Sequence, residues 1–225
     1  NKEPDDFISA LNASLPKNLR LGIVRSSFFE DIDPEVLSAA EEALKVLSSL
    51  GEVREIELDE IPVDRTLQAD ESYRVHAEFV CKNPKLYQPE TLRRIMNGAN
   101  ADPEEVARRR EGLAQHRREI AGVFKDVDFL ITPSVPIPAP LISRLQEEPE
   151  QLRATEILLL RNTRPFNVWG LPAISVPCGS AKSGLPIGLQ IAGPHYAEAA
   201  VLQLAHAFEK KIAVTNGNRG DAGVR

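Results

Sequence analysis

The chain has 225 residues, 42% apolar and 5% aromatic, with 27 Lys and Arg against 33 Asp and Glu for a formal net charge of −6. That length fits one large domain or two small ones, with a core built mainly from Leu, Ile, Val and Ala. Net acidity argues against a nucleic-acid or anionic-membrane surface, which needs clustered positive charge. No apolar run reaches the ~18–20 residues that span a bilayer, so no membrane partner is expected. Asn1-Lys2-Glu3-Pro4 opens no signal peptide. Cys81 and Cys178 are too few for a disulfide framework, and the expected setting is a reducing, cytoplasmic one.

Residues 1–19 read as a polar segment without a strand. Leu21-Gly22-Ile23-Val24 is a short apolar run, the pattern of a buried strand. Asp33-Pro34-Glu35 opens a helix, with Asp as N-cap, Pro in the first turn and an acid near the positive helix end. Val36, Ala39, Ala40, Ala43, Leu44, Leu47 and Leu50 recur at helical spacing until Gly51 closes the helix. Val53 to Leu58 follows as a strand. Strand, helix and strand this close together predict a parallel pair with a right-handed crossover.

Residues 63–125 read as mostly helical, broken at Asn83-Pro84, at Pro89 and from Gly98 to Pro103. Val127 to Thr132 is the next strand. Pro133, Pro136, Pro138 and Pro140 follow it, too many for a sheet interior, so this is an extended surface or pocket-lining segment. A helix is expected over Glu150 to Asn162, strands over Ala173 to Val176 and Ile187 to Ala192, and an amphipathic helix over Ala197 to Lys211. From Thr215 onward a polar, disordered tail is expected.

Residue chemistry alone offers no self-contained active site. Gly179-Ser180-Ala181-Lys182-Ser183-Gly184 is superficially a phosphate loop, but Leu185-Pro186 and a strand follow where a helix should open, so it reads as a turn. His76, His116, His195 and His206 are scattered without metal-ligand spacing, and no zinc or other metal site is expected. Cys178 reads as a small apolar residue at a strand end. Arg108, Arg109, Arg110, Arg117 and Arg118 form a basic cluster in which Arg108 and Arg109 follow Glu104 and Glu105 by four residues, and it reads as a solvated, ion-paired face. Ser26-Ser27 and Ser48-Ser49 lack glycines that would present oxyanion donors, and both pairs read as structural.

One segment carries more. Phe166-Asn167-Val168-Trp169-Gly170-Leu171-Pro172-Ala173-Ile174-Ser175-Val176-Pro177-Cys178-Gly179, then Gly184-Leu185-Pro186-Ile187-Gly188-Leu189-Gln190-Ile191-Ala192-Gly193-Pro194, resembles the closing segment of the amidase signature family, Ser-Ser-Lys hydrolases of carboxamides. The likeness runs through the chain in order. Arg20 to Val24 with Asp33 to Gly51 looks like the opening of that family's second half. Pro89 to Ile95 with Gly98 looks like its mid-region helix. Asp128-Phe129-Leu130-Ile131-Thr132-Pro133 looks like its hydrophobic strand before Thr-Pro.

The resemblance implies an α/β fold, a mixed, largely parallel sheet flanked by helices, the second half of the amidase signature fold. Residues 20–213 are then the C-terminal portion of such a domain and 214–225 its polar tail. The family's Gly/Ser-rich catalytic run does not occur in this sequence, so no catalytic residue is carried over. What the resemblance supplies is pocket wall. Thr132 and Val135 match positions lining the acyl pocket, Asn167 and Trp169 precede the turn beside it, and Arg94 matches a substrate-holding arginine of glutamine-using amidotransferase relatives. Those relatives carry an acid about two turns before the position of Asn167, where this chain has the apolar Ile157 to Leu160. That sets a general amidase ahead of a glutamine-dependent amidotransferase fragment or a non-catalytic binding module. The implied partners are a small-molecule amide, the missing N-terminal half of the same domain and a second copy in a homodimer, with no cofactor. A domain lacking one half should leave one sheet face apolar and uncovered.

Overall fold

The computed structural model describes residues 6–61 and 64–220, with side chains through Ala213. In chain order the elements are α1 (Phe7–Asn12), β1 (Arg20–Val24), α2 (Pro34–Leu47), β2 (Glu52–Ile56), α3 (Thr66–Lys82), a single 3-10 turn (Pro84–Leu86), α4 (Pro89–Met96), α5 (Pro103–Val123), β3 (Phe129–Pro133), α6 (Ile142–Glu147), α7 (Pro149–Leu160), α8 (Arg164–Trp169), β4 (Ala173–Ser180), β5 (Pro186–Ala192) and α9 (Glu198–Gly220). The chain divides into two compact units, residues 1–60 with 120–225, and residues 61–119.

The first unit is built on a five-stranded sheet in the order β2-β1-β3-β5-β4. β1 pairs parallel with β2 and with β3, whereas β5 runs antiparallel to both β3 and β4. The expected mixed α/β sheet is present, with its parallel pairing confined to β2-β1-β3. The antiparallel side arises because β4 and β5 are joined by a tight turn, which cannot supply a parallel crossover. That turn is Ala181 to Gly184, where the Gly184 amide donates to the Ala181 carbonyl at 2.8 Å. The phosphate-loop lookalike is therefore a hairpin.

Alternation along the strands assigns the two faces. Leu21, Ile23, Phe129, Ile131, Leu189 and Ile191 turn toward α2 and α9 and form the main core with Val36, Ala40, Leu47, Leu204 and Phe208. α2 forms where its capping signals place it, with Asp33 Oδ1 accepting from the Glu35 amide at 2.8 Å and Pro34 in the first turn. The opposite face carries Gly22, Val24, Leu130, Thr132 and Gln190, and the segment around α8 covers part of it. This second face is not broadly apolar and uncovered. Its exposed positions lie toward the edges and include Glu52 and Arg54 on β2 as well as the small, uncharged Ala173, Ser175 and Pro177 on β4.

Pro133 closes β3 although β3 lies inside the sheet. β1 stops pairing at Ile131, two residues earlier, so the missing amide of Pro133 faces no β1 partner. The proline segment then packs inward: Ser134 and Pro136 are buried, and the Pro136 carbonyl accepts from the Asp33 amide at 2.8 Å. α6 and α8 are not anticipated from the sequence. Each is six residues long, too short for a periodic signal, and Pro165 restarts the chain as α8 in its first turn. α1 lies within the polar opening segment, and the Ala13 and Ser14 carbonyls after it accept from Gln203 Nε2 on α9 at 3.0 and 2.9 Å. α9 runs past Lys211 into the expected tail as far as Gly220, because a formed helix extends at one hydrogen bond per residue without needing an apolar face. Residues 221–225 lie outside the described residues.

The second unit holds α3, α4 and most of α5, with the helix breaks where proline and Gly98 imposed them. Val80, Ile95 and Val106 are its buried apolar side chains. His76 Nδ1 and the Tyr87 hydroxyl lie 2.8 Å apart. The arginine run on α5 is ion-paired: Arg108 to Glu105, Arg109 to Asp64 and Glu105, Arg110 to Glu71.

The first unit is also tied at the strand bases. Arg20 Nη2 meets Asp128 Oδ1 at 2.8 Å, and the Arg20 amide donates to Asp128 Oδ2 at 2.8 Å. The Arg20 hydrogen bond, outweighing partial burial, holds the Asp128 carboxyl below its ordinary 3.8. A depressed folded value means stability present above 3.8 and lost as pH falls through the lower value. Asp128→Asn should therefore lower the urea midpoint at neutral pH, with the difference from wild type closing in acid below that depressed value.

Candidate functional site

From β1 the chain crosses through α2 to β2 on one side, and β3 then pairs on the other side of β1. The strand order thus reverses between β1 and β3. In open α/β sheets the crevice beyond the carboxyl ends of two such strands is where ligands bind. Here it is bordered by the loop after β1, which begins Arg25-Ser26-Ser27-Phe28, and by the segment after β3, which begins Ser134-Val135-Pro136.

A buried polar network fixes this crevice. Asn162 is fully buried between α7 and α8, and its Nδ2 donates to the Phe28 carbonyl at 3.0 Å and the Pro133 carbonyl at 2.9 Å. Gln190 Nε2 on β5 donates to the Asn162 carbonyl at 3.0 Å and to the Thr132 hydroxyl at 2.9 Å. One loop end from each of β1 and β3 is thereby tied to β5. Beside it, Ser134 Oγ and Ser175 Oγ lie 2.5 Å apart. Gly188 permits that pair, since a Cβ there would stand 2.5 Å from Ser175 Oγ and 2.9 Å from Ser134 Oγ.

Two features of the loop after β1 are strained or unsatisfied. Ser26 Oγ is buried with no hydrogen-bond partner among the described residues. Ser27 holds φ 61° and Asp31 φ 43°, left-handed values that cost non-glycine residues energy. Unpaired buried hydroxyls and strained backbone concentrate where proteins bind ligands.

The sequence-derived pocket residues fall unevenly on this frame. Thr132 is fully buried in the network, and its hydroxyl oxygen accepts from Gln190. Val135 is half-buried at the crevice border. Trp169 is buried, its ring edge-on to Phe166 with centroids 5.3 Å apart, and Phe166 in turn meets Phe28 at 5.7 Å. Its backbone carbonyl accepts from His195 Nε2 at 2.8 Å, which requires the proton on that nitrogen. Gly170 ends α8 at φ 71°, the left-handed turn that a side chain would disfavour. Asn167 is exposed, its Nδ2 turned back to the Thr163 carbonyl at 3.3 Å. Arg94 lies in the other unit, on α4, and its Nε donates to Glu90 at 2.8 Å. Arg93 first and Arg94 with it hold the Glu90 carboxyl down at about 2.

Asn162, Gln190 and the Ser134–Ser175 pair escape sequence reasoning, because a single Asn, Gln or Ser in an apolar helix or strand has no motif. Ser26 reads from the sequence as structural, and only its buried hydroxyl, unpaired among the described residues, distinguishes it. Burial pushes the Cys178 thiol up to about 12, so it stays protonated at neutral pH. No group of His, Cys, Asp and Glu suited to a metal occurs among the described residues. A separate open groove of about 870 Å³ lies between α2, α9 and the end of β4. Its polar groups are partly spent on each other: Lys45 meets Glu42 at 2.6 Å, and the Lys182 amide donates to Glu35 at 2.6 Å.

Residues 1–202 match the family model described as Amidase. The chain belongs to the amidase signature family. Among curated relatives, a glutamyl-tRNA(Gln) amidotransferase subunit of Brevibacillus brevis is 33% identical over 93% of this chain and 48% of its own length. Its counterpart in a Geobacter species is 31% identical over 94% of the chain and 48% of its length. Solved neighbours include a 6-aminohexanoate cyclic dimer hydrolase, at TM-score 0.72 and 24% identity over 94% of this chain and 48% of that one. A bacterial aryl acylamidase superposes at TM-score 0.66 and 19% identity, over 92% and 46%. The amidase chain thus spans about half the length of the curated relatives it matches. No helix among the described residues is long and apolar enough to cross a membrane.

Asn162→Ala should leave two buried carbonyls unpaired and cost about 3 kcal/mol of folding free energy. Asn167→Ala, on the exposed side of α8, should change it by less than about 0.5 kcal/mol. Urea denaturation of both variants checks the contrast.

Proposed function

We propose that this chain is the C-terminal part of an amidase that hydrolyses the carbon–nitrogen bond of a small carboxamide, and that it supplies one wall of the acyl pocket. The observation that carries the reading is the coincidence of two independent placements. Thr132 and Val135, assigned to the pocket by family likeness, lie at the strand-order reversal where physical reasoning alone puts a ligand crevice. The Ser-Ser-Lys set belongs to the remainder of the domain, since the sequence holds no Gly/Ser-rich catalytic run. Thr132 acts by anchoring Gln190 and shaping the wall, while Val135 faces the acyl group. Trp169 supports the wall through Phe166 and Phe28 rather than by touching substrate. No cofactor is required. The setting is reducing and cytoplasmic, consistent with two unbridged cysteines.

The curated relatives favour one second reading. Both belong to amidotransferases named for glutamyl-tRNA(Gln), so this chain is alternatively part of a glutamine-using enzyme that works with partner proteins. The apolar Ile157 to Leu160, where an acid is expected in that class, keeps the general amidase ahead.

The full gene product, purified from its source cell and offered a panel of amides with glutamine among them, distinguishes the readings. Release of ammonia or amine from simple amides supports the first; turnover restricted to glutamine, with partner proteins copurifying, supports the second. No turnover of any amide would remove both. Val135→Trp should raise KM for bulky acyl amides at least ~10-fold, a filled pocket costing about 1.4 kcal/mol or more of binding, with the melting temperature little changed. An unaltered KM would remove Val135 from the pocket.

A further inference from the structure

In the second unit, the outward face of α3 is unlike an ordinary solvated helix face. Glu71, Arg74, Val75, Glu78, Phe79 and Lys82 recur at spacings of three and four, and all of them are exposed. Val75 is 79% exposed, more than any other large apolar side chain among the described residues, and Phe79 one turn later is 49% exposed. Helical spacing sets the charged residues along one side of this apolar pair, alternating acid and base. Leu86, 74% exposed, stands on the 3-10 turn next to Tyr87, whose ring meets Phe79 with centroids 5.9 Å apart. The inward face holds α3 in place. Asp70 and Val80 are buried, and Gly98 lets the chain after α4 approach so closely that a Cβ there would lie 2.0 Å from the Ala69 carbonyl oxygen. The apolar pair is therefore presented on a packed helix rather than on a loop that could fold back over it.

We propose that this face is a homodimer contact, in which α3 packs antiparallel against α3 of a second copy across a two-fold axis near Ala77. The charge order selects both the occupant and its direction. That axis sets Val75 of one copy against Phe79 of the other, and it brings Glu71 beside Lys82 and Arg74 beside Glu78 along the shared flank. In a parallel two-fold pair Glu78 would instead face Glu78 and Lys82 would face Lys82, a repulsion that disfavours that arrangement. Glu71 and Lys82 lie about 16 Å apart along their own helix, so they cannot meet within one copy. While the copies are apart each charge has a local partner: Glu71 lies 3.7 Å from Arg110, Arg74 lies 2.8 Å from Asp70, and Lys82 meets Glu78. A separated copy thus exposes no unbalanced charge, and the contact is reversible. A small apolar centre within a charged rim is the make-up of association between folded copies. Permanent cover by another part of the same domain calls for a different surface, one like the end of α7, where Ile157-Leu158-Leu159-Leu160 carries no charge and none of the four is buried. The contact does not depend on which amide the crevice hydrolyses.

Sedimentation equilibrium of the full gene product, over a wide range of concentration and without substrate, tests this. The expected result is a reversible monomer–dimer equilibrium. Phe79→Glu, which acts twice in a two-fold contact, should weaken the dimer at least ~100-fold. The melting temperature of the dissociated protein should stay unchanged, because Phe79 is exposed in a single copy. Glu71→Lys and Lys82→Glu should each weaken the dimer about 5-fold, and the two together should restore it, because the swapped charges meet again across the axis. A protein that is monomeric at every concentration overturns the contact. So does a dimer that Phe79→Glu leaves intact, or a double swap in which the two losses add. Phe79→Glu that lowers the melting temperature of the monomer also overturns it, and assigns the apolar pair to cover by another part of the same chain.

Discussion

One buried side chain holds the geometry on which the crevice depends. Asn162 has two amide hydrogens and spends both on main-chain carbonyls that end different strands, Phe28 after β1 and Pro133 on β3. Its own carbonyl receives Gln190 from β5. No water competes at a fully buried position, so each of these bonds is costly to leave unmade. The consequence is positional. The loops bordering the strand-order reversal cannot drift apart without opening this network, and Ser26, Ser134 and Val135 inherit their placement from it.

The titratable groups contribute little to the site and more to the scaffold. Arg25 is held firmly protonated, first by Glu41 and then by Glu55, and lies over the Phe29 ring at 5.0 Å. Arg20 and Asp128 fasten the start of β1 to β3. On α4 and α5 the charges are exposed helix-surface pairs, screened by water and salt. The crevice itself is lined by hydroxyls, amides and small apolar groups. Such a lining can shape and orient a neutral ligand but cannot activate a nucleophile on its own.

The small residues of the second sheet face have a common logic. Gly22, Gly188, Ala173 and Ser175 keep that face low where the α2 and α9 face is filled by Leu, Ile and Phe. Gly188 in particular gives its volume to the Ser134–Ser175 contact. A face built this way is poor at covering itself and well suited to receive other backbone closely.

Much of the fold was legible in the sequence because its signals are local. Asp33-Pro34-Glu35 specifies a helix start through bonds within three residues, and the 3.6-residue recurrence from Val36 to Leu47 specifies the face that α2 buries. The Gly-Leu-Pro segments and their spacing carried the family as well, because turns constrain residue type directly. The site was only partly legible. Thr132 and Val135 came from likeness, but what they touch did not, nor did the burial of Trp169 edge-on against Phe166. Asn162 to Phe28 spans 134 positions and Gln190 to Thr132 spans 58, and no periodicity encodes a hydrogen bond of that range. The six-residue α6 and α8 stayed hidden because they offer less than two turns of pattern. What the sequence by itself determined is which residues could be inside and where the chain could turn, both set by side-chain hydrophobicity and backbone sterics. Only the tertiary structure decided which polar groups meet, which serine is left without a partner and which strand forms the uncharged edge, because those depend on the order in which strands assemble rather than on the order in which residues are written.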